Sequence, residues 1–427
     1  MKILIITYDF YPEAKPNTYR WFNIAKKWVD EGAKVYVLSA NKNEFSSFEE
    51  IDGVRIYRST EFFFGNLKYK FRGNLASGTS NTEIKAKKTL KTFVKGFVRK
   101  VYDLTWSKLY WPDHSFLWIK SAYPLATKII EENHIDKLIT VSWTFSAHMI
   151  GLKLKRKFTN LYWLADTVDP FSFNANVNNA SFHNLNVLKE KEVFENADFN
   201  TVLTKKIKTE YVKMFPTAKE KIEVVNNVFI PVKFDFKKIN TSANTKIKIV
   251  FLGTLSKYTR SPENTLKVFD NLITACKELD FRIDFYGDVT DTFEFFQKYP
   301  TMLDHSVFLH GFITKDTVNE IIKSADILLN IGNNNEYQEP SKLIEYMYSG
   351  KKILNVCSIK DDTSAALLKI YPLSLSIFAH EINDPLIINE LVGFLTTPKS
   401  IDENYIELIL KDYLLEAVSD KYLSYLA

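Results

Sequence analysis

Lys342 and Glu345 stand three residues apart in the stretch EPSKLIEYMYSGKKIL (339–354), between the apolar runs ADILLNIG (325–332) and KKILNV (351–356). Both runs read as short buried strands, so the segment between them is expected to be a loop that opens a helix. Pro340 suits the first helical turn, Ser341 is placed to cap it, and Gly350 ends it. Lys342 and Glu345 then share one helix face. They form either an ordinary surface ion pair or a pair of ligand contacts at the C-terminal edge of a sheet. A second chemical feature is the basic run IKAKKTLKTFVKGFVRKV (84–101), with seven cations and no acid. Leu90, Phe93, Val94, Phe97, Val98 and Val101 follow helical spacing there, with Lys88, Lys91 and Lys95 at other angles. Such a helix can lie in an anionic membrane interface, or it can pack its apolar face on a domain and wet the rest. No set of His, Cys, Asp or Glu has metal-ligand spacing, and acidic pairs such as Asp361–Asp362 lack a strand-end context.

These residues need elements to position them. The chain has 427 residues, too many for one ordinary core, so two domains are expected. Hydrophobic content of 46% with 25% charged residues is that of a folded protein. The net charge of +5 suits phosphate-bearing ligands or an anionic membrane surface, and is too small to argue for nucleic acid. Two distant cysteines, Cys276 and Cys357, form no disulfide framework. No apolar run is long enough to span a bilayer, and MKILIITYDF is too short and strand-like for a signal peptide, so a cytoplasmic protein is expected. The pattern is strand and helix in alternation: KILIIT (2–7), a helix over 17–32 closed by Gly32, KVYVLSA (34–40), VRIYRS (54–59), DKLITVSW (136–143), a helix from about Ala147, and LYWLAD (161–166). It restarts with IKIVFLGTL (247–255), a helix over 262–278, FRIDFYGD (281–288), SVFLHGF (306–312) and a helix over 315–325. The polar stretch 231–246 reads as the linker. This is an α/β chain of two doubly wound, Rossmann-like parallel-sheet domains facing across a cleft. Ligands of such sheets bind beyond the C-terminal strand ends.

The stretch PSKLIEYMYSGKKIL resembles the signature of retaining GT-B glycosyltransferases of family 4, in the branch that builds bacterial surface polysaccharides such as capsule or O-antigen. The opening MKILIITYDFYPE, the segment GTLSKYTRSPENTL, and WPDHSFLW, SAHMIG and LADTVDPF resemble landmarks of the same family in the same order. The resemblance implies an N-terminal acceptor-binding domain over 1–230 carrying the basic insert, a nucleotide-sugar domain over 231–400, and C-terminal helices (401–427) returning to the first domain. It implies transfer of a sugar, with retention, from a nucleotide diphosphate sugar to a glycan or lipid-linked acceptor, with no cofactor and no metal. Glu345 would accept hydrogen bonds from the ribose hydroxyls, because a carboxylate offers acceptors only. Lys342 and Arg260 would stabilise the departing diphosphate. Two positions depart from the pattern. Where the family carries a second glutamate that contacts the donor sugar, this chain has Tyr337, with Glu336 and Glu339 beside it. Where a glycine pair is common after the first strand, PEAKPN (12–17) stands instead, leaving Lys15 or Asn17 for the phosphates.

Candidates for catalysis lie in the first half. His148, after a predicted strand, matches a histidine that contacts the donor sugar in the related pattern, or it caps a helix. Asp166 and Asp169 follow the next strand, and either can orient or deprotonate an acceptor hydroxyl; the alternative is an Asx turn before Pro170. Asp113 is a weaker candidate. Lys88, Lys91, Lys95, Phe93 and Phe97 would hold the protein, peripherally, at the membrane face beside its acceptor. Two rival activities fit the same fold: a non-hydrolysing nucleotide-sugar epimerase and a non-catalytic nucleotide-sugar-binding subunit.

Overall fold

The computed structural model describes residues 1–13, 15–41, 45–61, 111–173, 182–231, 246–340 and 342–427. The chain forms two compact units, one of residues 1–226 with 418–427, the other of residues 227–417.

The first unit is built on an eight-stranded sheet: β1 (Lys2–Thr7), β2 (Lys34–Asn41), β3 (Phe48–Ile51), β4 (Val54–Thr60), β5 (Lys137–Ser142), β6 (Tyr162–Thr167), β7 (Phe199–Val202) and β8 (Ile222–Val224), in the order β3-β4-β2-β1-β5-β6-β7-β8. All neighbours are parallel except β3 and β4. β1 is central and buried on both faces, which is why KILIIT reads as a continuous apolar run. The chain winds from β1 to one side and then returns to β5 on the other, so the sheet switches direction between β1 and β5. The helix Pro16–Asp30 opens on Pro16 and buries Trp21, Ile24, Ala25 and Trp28. It ends at Gly32, whose φ of 91° lets the Ala33 N–H donate to Trp28 O at 2.8 Å. β3 was not expected. It pairs with β4 through a tight turn with positive φ at Asp52 and Gly53, the geometry an Asp-Gly pair favours.

The second unit carries a six-stranded, all-parallel sheet: β9 (Ile247–Leu252), β10 (Phe281–Tyr286), β11 (Val307–Gly311), β12 (Ile327–Ile331), β13 (Lys352–Cys357) and β14 (Ser374–Phe378), in the order β11-β10-β9-β12-β13-β14. Its switch point lies between β9 and β12. Side chains alternate along β9, so Ile249 and Phe251 enter one core with Phe269, Leu272 and Phe285. Val250 and Leu252 enter the other, with Leu343, Met347 and Ile353.

The C-terminal region divides differently from expectation. Helix Glu403–Leu410 buries Ile406 and Leu410 in the second unit's core, and only the chain from Val418 onward joins the first unit. That last helix, Leu415–Leu426, buries Val418, Tyr422 and Leu426 there. Most of the expected linker (232–245) and the whole basic run 84–101 lie outside the described residues. Among the described residues no helix is long and apolar enough to cross a membrane.

Candidate functional site

In the second unit, the loops after β9 and β12 meet at the switch point. Ser256 and Arg260 exchange backbone hydrogen bonds of 3.0 Å, closing a small hairpin that delivers Arg260. Its Nε donates to Asn333 Oδ1 at 3.1 Å, and Asn333 Nδ2 donates to Gln338 O at 3.1 Å. The guanidinium is thus oriented from the neighbouring strand's loop. Burial lowers its pKa, against the opposing pull of the Tyr346 hydroxyl and the Asp362 carboxyl nearby, yet an arginine keeps its charge in any such setting. The backbones close tightly here. A Cβ on Gly287, whose φ is +126°, would stand 2.0 Å from Gly253 O.

The helix Lys342–Tyr348 is moored to the same edge. Tyr346 is buried, and its hydroxyl accepts from the Leu252 N–H, at the end of β9, at 3.0 Å. Burial raises the Tyr346 pKa; the Glu345 charge raises it further and Arg260 opposes, so both charges act on this one hydroxyl. Arg260 Nη1 comes near Gly253, directly after β9, and Tyr346 bonds to Leu252, so Arg260 and the helix that carries Glu345, 85 residues on in the chain, share one strand end. Lys342 Nζ lies 2.7 Å from Glu345 Oε2, with side-chain exposures of 39% and 22%. The pair is open to water and contributes under about 1 kcal/mol to stability, so both groups are available to a ligand at little energetic cost. Tyr337 is half-buried in the β12 loop, its N–H on Asn335 Oδ1 at 3.1 Å. Glu339 is exposed by surface area, yet surrounding protein pushes its carboxyl up to about 7. Water contact screens such a carboxyl and holds the shift below what full burial would cause. Ser341 lies outside the described residues.

Two of the catalytic candidates in the first unit lie inside the fold. Asp166, at the end of β6, is fully buried. It accepts from Arg20 Nη1 and Nη2 at 2.9 and 3.2 Å, Tyr422 OH at 2.6 Å, Thr201 Oγ1 at 2.7 Å and Trp21 Nε1 at 3.3 Å. A carboxylate so enclosed joins helix Pro16–Asp30, β7 and the last helix. His148 is also fully buried, with Nδ1 2.8 Å from Thr140 Oγ1 and Nε2 3.2 Å from Thr167 Oγ1. Burial holds its pKa down to about 4, against the charge of Asp166, so the ring is neutral at physiological pH. With both nitrogens bonded inside the fold, His148 ties helix Ser146–Lys157 to β5 and β6.

Asp113 serves as an external cap. Its Oδ2 accepts from the Ser146 N–H at 2.8 Å and its Oδ1 from the Ser146 hydroxyl at 2.9 Å, at the start of helix Ser146–Lys157. Lys15 is bonded to Asp9 at 2.6 Å and Glu13 at 3.3 Å. Asp169 alone among the three catalytic candidates is partly exposed, in the turn just after β6. Lys88, Lys91, Lys95, Phe93 and Phe97 lie outside the described residues. Asn333, which orients Arg260, Tyr346, which moors the helix of Lys342 and Glu345, and Glu190, a buried acid on helix His183–Asn196, were not expected from the sequence. Asn186, Glu190, Val193 and Phe194 form the buried stripe of that helix, so an acid in step with apolar residues was the available signal.

Two doubly wound parallel-sheet domains of this kind define the GT-B fold, and solved structures confirm it. No family model and no curated protein matches the sequence. A glycosyltransferase from Rickettsia africae is similar at TM-score 0.60 and 13% identity, over 99% of this chain and 97% of that one. The lipopolysaccharide outer core galactosyltransferase WaaB is similar at TM-score 0.60 and 13% identity, over 100% and 99%. The E. coli trehalose-6-phosphate structure bound with UDP-2-fluoro glucose has TM-score 0.63 and 11% identity, over 99% and 98%. At such identities the likeness is one of fold.

Proposed function

We propose that this chain is a glycosyltransferase that moves a sugar, with retention, from a nucleotide diphosphate sugar to a glycan or lipid-linked acceptor of surface-polysaccharide synthesis. The observation that carries the reading is that the loop holding Arg260, oriented by Asn333, and the helix holding Lys342 and Glu345, moored by Tyr346, meet at one strand end of the second unit. Glu345 accepts from the ribose hydroxyls, exchanging its exposed contact with Lys342 for two charge-assisted hydrogen bonds. Lys342, so released, and Arg260 meet the diphosphate. As the anomeric C–O bond breaks, negative charge collects on the leaving oxygen, and prepositioned cations stabilise it without reorganising water. This assigns to Arg260 and Lys342 the role a metal ion would otherwise fill. The acceptor hydroxyl oxygen bonds to the anomeric carbon, and its proton goes to Asp169 or to the leaving phosphate. The similarity to a lipopolysaccharide galactosyltransferase supports a bacterial surface glycan as acceptor class, and the basic run 84–101 supports peripheral attachment to an anionic membrane face.

The test is a panel of nucleotide sugars, first by thermal shift and then with glycan acceptors, the product anomer being read by NMR. A ligand at 100 times its Kd adds about 2.7 kcal/mol to stability. A stabilising donor that transfers its sugar with the same anomeric configuration supports the reading. Conversion of donor without acceptor would make the chain an epimerase instead, and binding without any turnover a binding subunit.

A further inference from the structure

The turn that leaves β6 is held at successive residues by one buried acid. Glu190 is fully buried. It accepts from the Phe171 N–H at 2.8 Å, the Ser172 N–H at 3.2 Å, the Ser172 hydroxyl and the Tyr211 hydroxyl. Around it the Phe171 ring stacks on Phe145 at 4.0 Å and 8°, and Phe173 meets the edge of Tyr211 at 5.0 Å. His183 Nδ1 lies 3.2 Å from Ser172 O. Segments leaving a strand end are ordinarily among the more mobile parts of a fold. This one is fixed at three residues in a row, two positions beyond Asp169.

The choice of an acid is informative. Enclosing a carboxylate is costly, and burial pushes the Glu190 carboxyl up while its donors pull the other way. Packing alone does not require it, because Val193 and Phe194 already seat the helix. A carboxylate is, however, the side chain that offers only acceptors to four converging donors. A glutamine there would turn an NH₂ group toward an N–H or O–H.

We propose that Glu190 is a positioning residue: it fixes the turn Asp169–Phe173 so that Asp169 is presented to the acceptor hydroxyl. The proposal rests on the glycosyltransferase reading for the role of Asp169, but not for the holding of the turn. It predicts a catalytic contribution from a residue that itself touches no substrate.

The experiment has two arms on the full chain, with Glu190→Gln as the main variant. Tyr211→Phe serves as a milder one that removes a donor without adding one. In the first arm, amide hydrogen exchange should speed up at least about tenfold across 168–173 in Glu190→Gln, while β6 (Tyr162–Thr167) stays protected. Unchanged exchange in that turn overturns the proposal, whatever the chain's activity. In the second arm, kcat for transfer should fall by about a hundredfold in Glu190→Gln, the scale of a small misplacement of a reacting group. Donor affinity should stay within about twofold. Combined with Asp169→Asn, the double variant should be no slower than Asp169→Asn alone, because both act through one carboxylate. Losses that multiply mean that Glu190 acts on overall integrity, and overturn the positioning role. Absence of transfer by the wild type with every donor refutes the glycosyltransferase reading, and the exchange arm then still decides whether Glu190 fixes the turn.

Discussion

Replacing Asp166 with asparagine isolates the interaction that ties the last helix to the first unit. The change keeps the shape and removes one charge. Arg20, 2% exposed, then keeps its guanidinium without a counter-charge. Removing one partner of a buried ion pair costs about 3–5 kcal/mol. The added NH₂ group faces some of the donors from Arg20, Tyr422, Thr201 and Trp21 that the carboxylate accepts, which places the expected loss at the upper end. Tyr422→Phe removes one donor to a charged acceptor and should cost about 1.5–3 kcal/mol. Adding Arg20→Met to Asp166→Asn should recover part of the loss, because no charge is then stranded. The assay is denaturant unfolding followed by tryptophan fluorescence. All seven tryptophans lie between Trp21 and Trp163, so the signal follows the first unit alone. A loss below about 1 kcal/mol for Asp166→Asn, or no recovery with Arg20→Met, would mean that the buried Arg20–Asp166 pair does not hold the first unit together.

Stability of the first unit should fall as pH drops from 6.5 to about 4, by up to about 3 kcal/mol, and less so in His148→Gln. The unfolded histidine binds its proton near 6.5 and the buried one only near 4, so between them acid favours the unfolded chain; parallel wild-type and variant curves would show that His148 is not the group. Gly287→Ala, whose Cβ meets Gly253 O at 2.0 Å, should destabilise the second unit by about 1–3 kcal/mol or more in calorimetry, and unchanged melting would mean that the loops do not close as described. Lys342→Ala should lower kcat more than it weakens donor binding, since charge grows in the transition state; a raised KM alone would mark ordinary ground-state binding. Changing Lys88, Lys91 and Lys95 to glutamate should abolish salt-sensitive co-sedimentation with anionic vesicles, whereas equal sedimentation of both proteins would return that segment to a packed surface helix.

The parallel core was legible because strands buried on both faces are unbroken runs, as in KILIIT and KIVFL. Short strands at or next to the sheet edges were not: FNTV, IEV and SLSIF are brief and partly polar, and the helix Trp118–Asn133 carries Pro124 within it. The site divides in the same way. Lys342 and Glu345 are neighbours on one turn, so their pairing follows from spacing. Asp166 and His148 look functional because polar residues at strand ends usually face solvent. Asp166 is enclosed by Arg20 and Tyr422, 146 and 256 residues away in the chain, and His148 by Thr140 and Thr167 of two neighbouring strands, and no local pattern reports such partners. Glu190 differs, since its position on a buried helical stripe was readable.

In the proposed function Glu345 reads the ribose of a nucleotide beside a diphosphate held by Lys342 and Arg260. Calorimetry on wild type and Glu345→Ala, with the stabilising nucleoside diphosphate and with inorganic pyrophosphate, tests it most directly. Loss of charge-assisted hydrogen bonds should weaken the nucleoside diphosphate by about ten- to a hundredfold. Pyrophosphate, which has no ribose, should bind the variant at least as well, because Lys342 loses its 2.7 Å partner and is freed for the anion. Wild-type affinity of the variant for the nucleoside diphosphate, or an equal loss for both ligands, would contradict the claim.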